Sequence, residues 1–359
     1  MVPSKRDAAH FQSFIGWLLA PIALWSICFA ALILWCGPLT GDLTRVGRWP
    51  DRAYATRVPQ KSIAVRPHGQ PELTRATVFV HGDSFSAGNL WQSVFEEISG
   101  LQTITFHHQQ VGCLENWVRW VERQRRSDGV VILEVIERDF MYRFASLEPC
   151  GESEPRIAGS IQGVFAPDVW RPGYDHLPVD ALYAFRAAWN TVLTATGRDR
   201  VLHNNVVNVA MRESRLFSNP ASGRLLYTAE DHSKGRWTER EIVQAFANLD
   251  AIRQRVEAVG MRLLLVIVPD KSSVYRRYVA EPLRVAPPPQ SFDDAVTLRA
   301  QVVLNLMPIF ESVIARTPDM YLPNDTHIGS IGYRLMGESI AEVLTPAAAS
   351  LARASGEPR

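Results

Sequence analysis

Thr77-Val-Phe-Val-His-Gly-Asp-Ser-Phe-Ser86 is the stretch on which the fold turns. Thr77 to Val80 are β-branched or aromatic and predict a short buried strand. Gly82, Asp83 and Ser84 break the run. Glycine permits a sharp turn, and aspartate and serine favour turns and helix N-caps. Beyond Ala87 the spacing turns helical, with Leu90, Trp91, Val94, Phe95 and Ile98 on one face. Ser84 is thereby placed at the C-terminal end of a strand and the N-terminus of a helix. A hydroxyl there is exposed among backbone N–H groups that lack intrahelical acceptors. A serine nucleophile needs that reach and those donors. An N-cap serine in an ordinary βα turn has the same local sequence, so Gly-Asp-Ser does not decide the matter by itself.

A second block lies near the C-terminus, Met320-Tyr-Leu-Pro-Asn-Asp-Thr-His-Ile-Gly-Ser-Ile-Gly-Tyr333. Its opening residues, 320–322, read as a strand. Helical spacing follows through Leu335, Ile340, Val343 and Leu344. A histidine on such a loop can act as general base towards a serine. A nearby aspartate can fix its tautomer and stabilise the imidazolium. Asp325 and His327 stand at that spacing. A helix-capping aspartate beside an exposed loop histidine is the bland alternative. With Ser84 at the other end of one α/β unit, the catalytic reading gains weight.

These two blocks resemble the SGNH (GDSL-type) hydrolase superfamily. Asn324-Asp-Thr-His-Ile-Gly-Ser-Ile-Gly332, with Val268-Pro-Asp-Lys-Ser-Ser-Val-Tyr275 and Glu134-Val-Ile-Glu-Arg138, is more particular. It resembles the SGNH-like proteins of alginate and related exopolysaccharide O-acetylation. The resemblance spans residues 77–344 in scattered blocks. It implies a three-layer α/β/α domain that acts as an O-acetyltransferase or acetyl-esterase on a polysaccharide. Carried over residue by residue, it makes Ser84 the nucleophile, His327 the base and Asp325 its orienter. The N–H of Gly112 would face the oxyanion. Two departures stand out. The superfamily has Gly-x-Asn-Asp after its third strand, whereas this chain has Glu134-Val-Ile-Glu-Arg-Asp139, with no asparagine. The serine block also precedes the Asp-x-His block, as in ordinary SGNH enzymes and unlike several alginate proteins.

The chain has 359 residues and a formal net charge of +1, with no long basic run, so nucleic acid is not expected as a partner. It shows no internal repeat, no glycine-rich phosphate loop and no metal-ligand spacing, and no cofactor is expected. After an N-terminal tail (residues 1–10), residues 11–36 carry no charged side chain. About 20 apolar residues suffice to cross a bilayer as a helix. A cleaved signal peptide is the alternative, but the run is long for a signal core and lacks a small-x-small site. Residues 37–75, rich in Pro, Arg and Gly, read as a linker. Residues 76–347 read as the SGNH-like domain, with an insertion at about 147–236, and 348–359 as a tail. Lys5 and Arg6 precede the apolar run, and Arg45, Arg48, Arg52 and Arg57 follow it. Charge alone would keep the domain inside, although long domains translocate largely regardless of it. The resemblance implies a single-pass protein of the inner membrane with its domain in the periplasm. It also implies a polysaccharide acceptor, a multi-pass membrane O-acyltransferase and glycan synthesis or export proteins as partners.

Further strands are expected at residues 103–106, 129–136 and 263–268. Helices are expected at 115–124, 181–196, 201–212, 237–259 and 298–315. Strands and helices that alternate at crossover spacing predict a parallel sheet covered on both faces. Arg138, past the third strand, either bonds an acyl or sugar oxygen or pairs with Glu134 or Glu137. Lys271 and Tyr275 are candidate substrate contacts, with a capped turn and a surface lysine as the alternative. In the insertion, Trp170 and Tyr174 are either sugar-stacking residues or packing anchors. Cys113 and Cys150 either bridge, given an oxidising compartment, or remain free thiols. Two further functions stay open: the same triad ending at water, as a polysaccharide acetyl-esterase, or a non-catalytic glycan-binding or assembly subunit.

Overall fold

A computed structural model describes residues 5–37, 39–66, 76–111, 113–124, 129–148, 150, 156–157, 163–167, 181–198, 200–281 and 286–345. The chain opens with helix α1 (Lys5–Cys36) and the short α2 (Asp42–Gly47). Strand β1 (Val78–Gly82) leads through α3 (Ser84–Ala87) into α4 (Leu90–Ser99) and β2 (Thr103–His107). Then come α5 (Leu114–Gln124), β3 (Val130–Ile136), α6 (Phe140–Phe144) and α7 (Ala181–Ala195). Three more strands follow: β4 (Arg200–His203), β5 (Val206–Ala210) and β6 (Arg224–Thr228). The C-terminal half adds α8 (Glu239–Ala258), β7 (Arg262–Val268), α9 (Lys271–Tyr275), α10 (Gln290–Leu298), β8 (Val303–Asn305) and α11 (Ser330–Leu344).

The main sheet runs β8-β7-β3-β1-β2 with every neighbour parallel. Its strands read as continuous apolar runs because both faces are covered. Val78 and Val80 enter one core, together with Trp91 of α4 and Met336 of α11. Phe79 enters the other, with Trp117 of α5 and Phe246 of α8. After β2 the chain crosses over β1 to build β3, so the winding reverses beside β1. Ligands of open α/β sheets sit in the crevice at such a reversal, beyond the strand C-termini. Ser84 lies two residues past the end of β1.

The structure corrects several local expectations. Residues 201–212 form the β4–β5 hairpin, not a helix. Asn204 and Asn205 both take positive φ (45° and 63°), the backbone of a two-residue hairpin turn, and the β-branched valines around them suit strands. The helix expected over 298–315 is split. α10 ends at Leu298, β8 supplies the fifth strand of the sheet, and a new helix starts at Met307 with Pro308 in its first turn. Residues 320–322 therefore are not that strand; Tyr321 makes only an isolated bridge to Ile328. The helix expected over 237–259 forms as α8, with Thr238 and Glu241 in a capping box.

Residues 39–66 do not trail from the domain as a loose linker. Leu43, Trp49 and Tyr54 are buried with Val201, Val206 and Leu226, and Ile63 pairs with Phe165. Cys113 and Cys150 are disulfide-bonded, with Cα atoms 6.0 Å apart. Residues 12–36 of α1 are long and apolar enough to cross a membrane. Trp170, Tyr174, Gly112 and the 348–359 tail lie outside the described residues.

Candidate active site

The turn after β1 is built around a buried carboxylate. At Gly82 a Cβ would come within 2.3 Å of Ser86 Oγ and 2.7 Å of Glu134 Oε2, so only glycine fits. Glu134, the one charged residue in β3, accepts from the Asp83 N–H (3.0 Å) and from Ser86 Oγ (2.6 Å). Trp91 Nε1 donates to Ser86 Oγ at 3.0 Å. Burial, reinforced by the charge of Asp83, holds the Glu134 carboxyl well above its usual range. Asp83 caps α3: Oδ1 accepts from Phe85 N and Oδ2 from Ile136 N, each at 2.9 Å. The turn is thus tied to the end of β3. Ser84 emerges exposed, and its own N–H stands first in the helix, without an intrahelical acceptor.

The second wall is the loop before α11. Leu322 N donates to His327 O (3.0 Å), and Asp325 N donates to Leu322 O (3.2 Å). Asp325 Oδ1 accepts from His327 N at 2.9 Å and lies 2.6 Å from His327 Nδ1. His327 Nε2 stands 2.8 Å from Ser84 Oγ, and its ring packs 5.0 Å from that of Phe85. Burial opposes a charge on His327, but the hydrogen bond and charge of Asp325 outweigh it and raise the imidazole pKa. Asp325, also penalised by burial, is carried down to about 2 chiefly by its bond to His327. An ionised aspartate therefore holds the histidine with Nε2 turned to the serine, the state a general base requires.

Residues that follow α1 brace this loop. The N–H of Asp42 donates to Asp325 Oδ2 at 3.0 Å. Those of Leu43 and Thr44 both donate to Asn324 O, at 3.1 and 3.3 Å. Asp42 Oδ1 accepts from Thr326 N at 2.8 Å, and Oδ2 accepts from the Thr326 hydroxyl. From the other side Lys271 Nζ donates to three carbonyls: Leu322 O (2.7 Å), Pro323 O (3.0 Å) and Asp325 O (3.0 Å). Carboxylate and imidazole atoms of Asp42, Asp325 and His327 lie within 4.8 Å of one another, a spacing a metal could bridge. They are already engaged by Thr326, by the Asp42 N–H and by each other, so their arrangement is that of a serine–histidine–aspartate relay.

The structure thus brings Ser84, His327 and Asp325 together in a cleft of about 310 Å³, walled by Leu90, Phe165, Leu322 and Tyr333. It does not bring Arg138, Lys271 or Tyr275 to that cleft. Lys271, 2% exposed, holds the loop from behind. Tyr275 is fully buried, stacked on Phe217 at 4.7 Å. Arg138 bonds neither substrate space nor Glu134 or Glu137. It pairs with Asp270 (2.8 Å) and Asp231 (3.3 Å), in a buried cluster where Lys234 reaches Asp270 and Glu137. Sequence reading missed Asp42 and the role of Glu134. Glu134 had left a signal, a lone acid in a buried apolar strand. Beside the β1–β2 ends, Arg143 is 8% exposed, yet among the described residues its Nε and Nη2 have no hydrogen-bond partner, and neither do His81 Nε2 and His108 Nδ1.

Residues 223–357 match the family model of the SGNH hydrolase-like domain, acetyltransferase AlgX. The match takes in Asp325 and His327, and Ser84 reaches them from outside it. No curated protein and no solved structure matches the chain. Residues 223–357 are thus similar to an SGNH hydrolase-like domain, and among the described residues the chain joins a parallel five-stranded sheet to one helix long and apolar enough to span a membrane.

Proposed function

We propose that this protein is a membrane-anchored O-acetyltransferase that moves acetyl groups onto hydroxyls of an exopolysaccharide or cell-envelope glycan. The observation that carries the reading is the unbroken relay from Ser84 Oγ through His327 to Asp325, at 2.8 and 2.6 Å, opening into the cleft. Ser84 Oγ attacks the carbonyl carbon of a donor acetyl ester or thioester, and its proton passes to His327 Nε2. As the bond to the leaving group breaks, His327 returns the proton to that group, and acetyl-Ser84 remains. A sugar hydroxyl then gives its proton to His327 and attacks the acetyl carbon. Ser84 leaves and regains the proton. The Ser84 N–H is one donor to the oxyanion; the resemblance assigns the other to Gly112. α1 would hold the domain on the periplasmic side of the inner membrane, beside a multi-pass acyltransferase that supplies the donor and the proteins that make or export the glycan.

The test uses the purified full-length chain in nanodiscs with an acetyl-ester reporter, with and without an oligosaccharide acceptor. Release that depends on acceptor and on Ser84, with acetyl recovered on the sugar, is the expected result. Ser84-dependent release indifferent to acceptor would assign the site to hydrolysis. Equal activity in the wild type and Ser84→Ala would refute catalysis at this site.

A further inference from the structure

Helix α7 has two apolar faces, one buried among the described residues and the other exposed. Tyr183, Ala184, Ala187 and Asn190 point inward and are buried. The Tyr183 hydroxyl donates to Thr44 O (2.9 Å) and Trp49 O (2.6 Å). Asn190 Nδ2 donates to Gly47 O (3.1 Å) and Arg48 O (3.0 Å). The opposite face carries Leu182, Phe185, Trp189 and Val192, exposed by 48%, 60%, 50% and 50%. Their spacing of three, four and three residues makes one continuous stripe.

What lies next to that stripe identifies its occupant. The last turn of α1 packs directly on α7: Cys36 is buried with Tyr183, Ala184 and Ala187. The span Gln12–Cys36 has 25 residues, about 37 Å at ~1.5 Å per residue. A bilayer core is about 30 Å thick, so the end of α1 that touches α7 stands at the level of the lipid headgroups. Helices that lie in this interface bury an apolar face of Leu, Phe and Trp and keep basic residues beside it. Arg186 is the only charged residue of α7, and it is exposed. Arg48, whose carbonyl accepts from Asn190 of α7 at 3.0 Å, is a second basic residue beside the helix.

We propose that the outer face of α7 lies in the headgroup–acyl boundary of the bilayer that α1 spans, with the Leu182–Phe185–Trp189–Val192 stripe among the lipid chains. The inference rests on the anchoring of α1 in a membrane. Two contacts on one bilayer remove the swivel that a single helix allows. Because α7 is latched to residues 44–49, and Asp42 to Thr44 brace the Asp325 loop, the cleft is then held at a fixed height and tilt above the membrane.

The test uses the full chain with Cys28→Ser and Cys36→Ser and the disulfide kept, in nanodiscs of phosphatidylethanolamine and phosphatidylglycerol. Nitroxide labels are placed singly at Phe185→Cys, Trp189→Cys and Val192→Cys. Gln244→Cys on exposed α8 serves as the aqueous reference and Leu24→Cys in α1 as the reference in lipid. The expected result is an oxygen-to-nickel-chelate collision ratio several-fold higher at the three α7 positions than at Gln244→Cys. A ratio equal to that reference means the face is in water and overturns the proposal. Low access to both reagents means protein covers the face, and overturns it too. Should Leu24→Cys read as lipid while all three α7 labels read as water, this inference alone fails. Should Leu24→Cys also read as water, the anchoring itself fails. One folded variant of the three suffices for the reading.

Discussion

Lys271→Met tests whether the loop behind the relay is held as described. Methionine fills a similar volume and donates nothing. Leu322 O would keep its bond from Asp325 N, but Pro323 O and Asp325 O would lose the only donor each has among the described residues. A buried acceptor left unmet costs roughly 1–3 kcal/mol. Two of them, offset in part by no longer burying an ammonium, give a loss of about 2–4 kcal/mol. Burial pushes the Lys271 pKa down to about 7, against the opposing charges of Asp325 and Asp42. An unfolded lysine titrates near ~10.4. Between these values the unfolded chain binds a proton that the folded chain does not, so the stability contributed by Lys271 rises with pH across that window and is lost as pH falls through about 7. Urea unfolding of the wild type and Lys271→Met should show a deficit that widens from about pH 7 towards about pH 10. Turnover should fall by roughly tenfold or more, since small misplacements of a reacting group are costly. Midpoints that coincide at every pH, together with unchanged turnover, would refute the bracing role.

Three other perturbations have defined outcomes. Asp325→Asn removes what raises the His327 pKa; the acid limb of the pH–rate profile should move to lower pH while the maximal rate drops by about 10³–10⁴-fold, and an unmoved limb would disprove the coupling. Glu134→Gln should be nearly neutral in thermal unfolding, because burial and Asp83 already disfavour the charged carboxyl and the amide oxygen keeps both bonds, whereas Glu134→Ala should cost roughly 2–4 kcal/mol through the orphaned Asp83 N–H and the cavity. Cys113→Ser releases a crosslink across a separation of 37 residues, and the loss of unfolded-state restraint predicts a drop of about 3–4 kcal/mol under oxidising conditions that vanishes under reductant.

The residues legible from the sequence were those whose role is announced by local chemistry. Ser84 sits where an apolar strand gives way to a turn, and the Asp325–His327 pair sits where a turn gives way to a helix. The covered sheet was legible because β3 and β7 are nearly continuous apolar runs, interrupted only by Glu134 in β3 and opened by Arg262 in β7, a pattern that half-exposed strands lack. Misread segments were short ones in which tertiary contacts override local preference. Val303, Leu304 and Asn305 carry a helix-compatible pattern, and pairing with Leu265, Val266 and Ile267 makes them a strand. Lys271 and Tyr275 were right in place and wrong in direction. Both lie at the C-terminal edge of β7, but the sequence does not encode which way a side chain at that edge turns, and these two turn inward.

Asp42 was beyond such reasoning for a different cause: its partner Asp325 lies 283 residues away. Their pairing also explains how one carboxylate near His327 is kept charged. Two acids this close cannot both ionise freely in a buried setting, and the environment assigns their roles. Asp42 is raised by burial and by the charge of Asp325. Asp325 is carried the other way, to about 2, because it holds the bond to His327. The negative charge that favours the imidazolium is thereby concentrated on the carboxylate in contact with it, while Asp42 serves as acceptor to Thr326 and its N–H serves Asp325. Glu134, beneath Ser84, is pushed the same way as Asp42, by burial and by the charge of Asp83. The same edge of the sheet thus favours charge on Asp325, on the histidine side of the serine, and disfavours it on Glu134 beneath, a polarity that suits the acyl transfer proposed for this site.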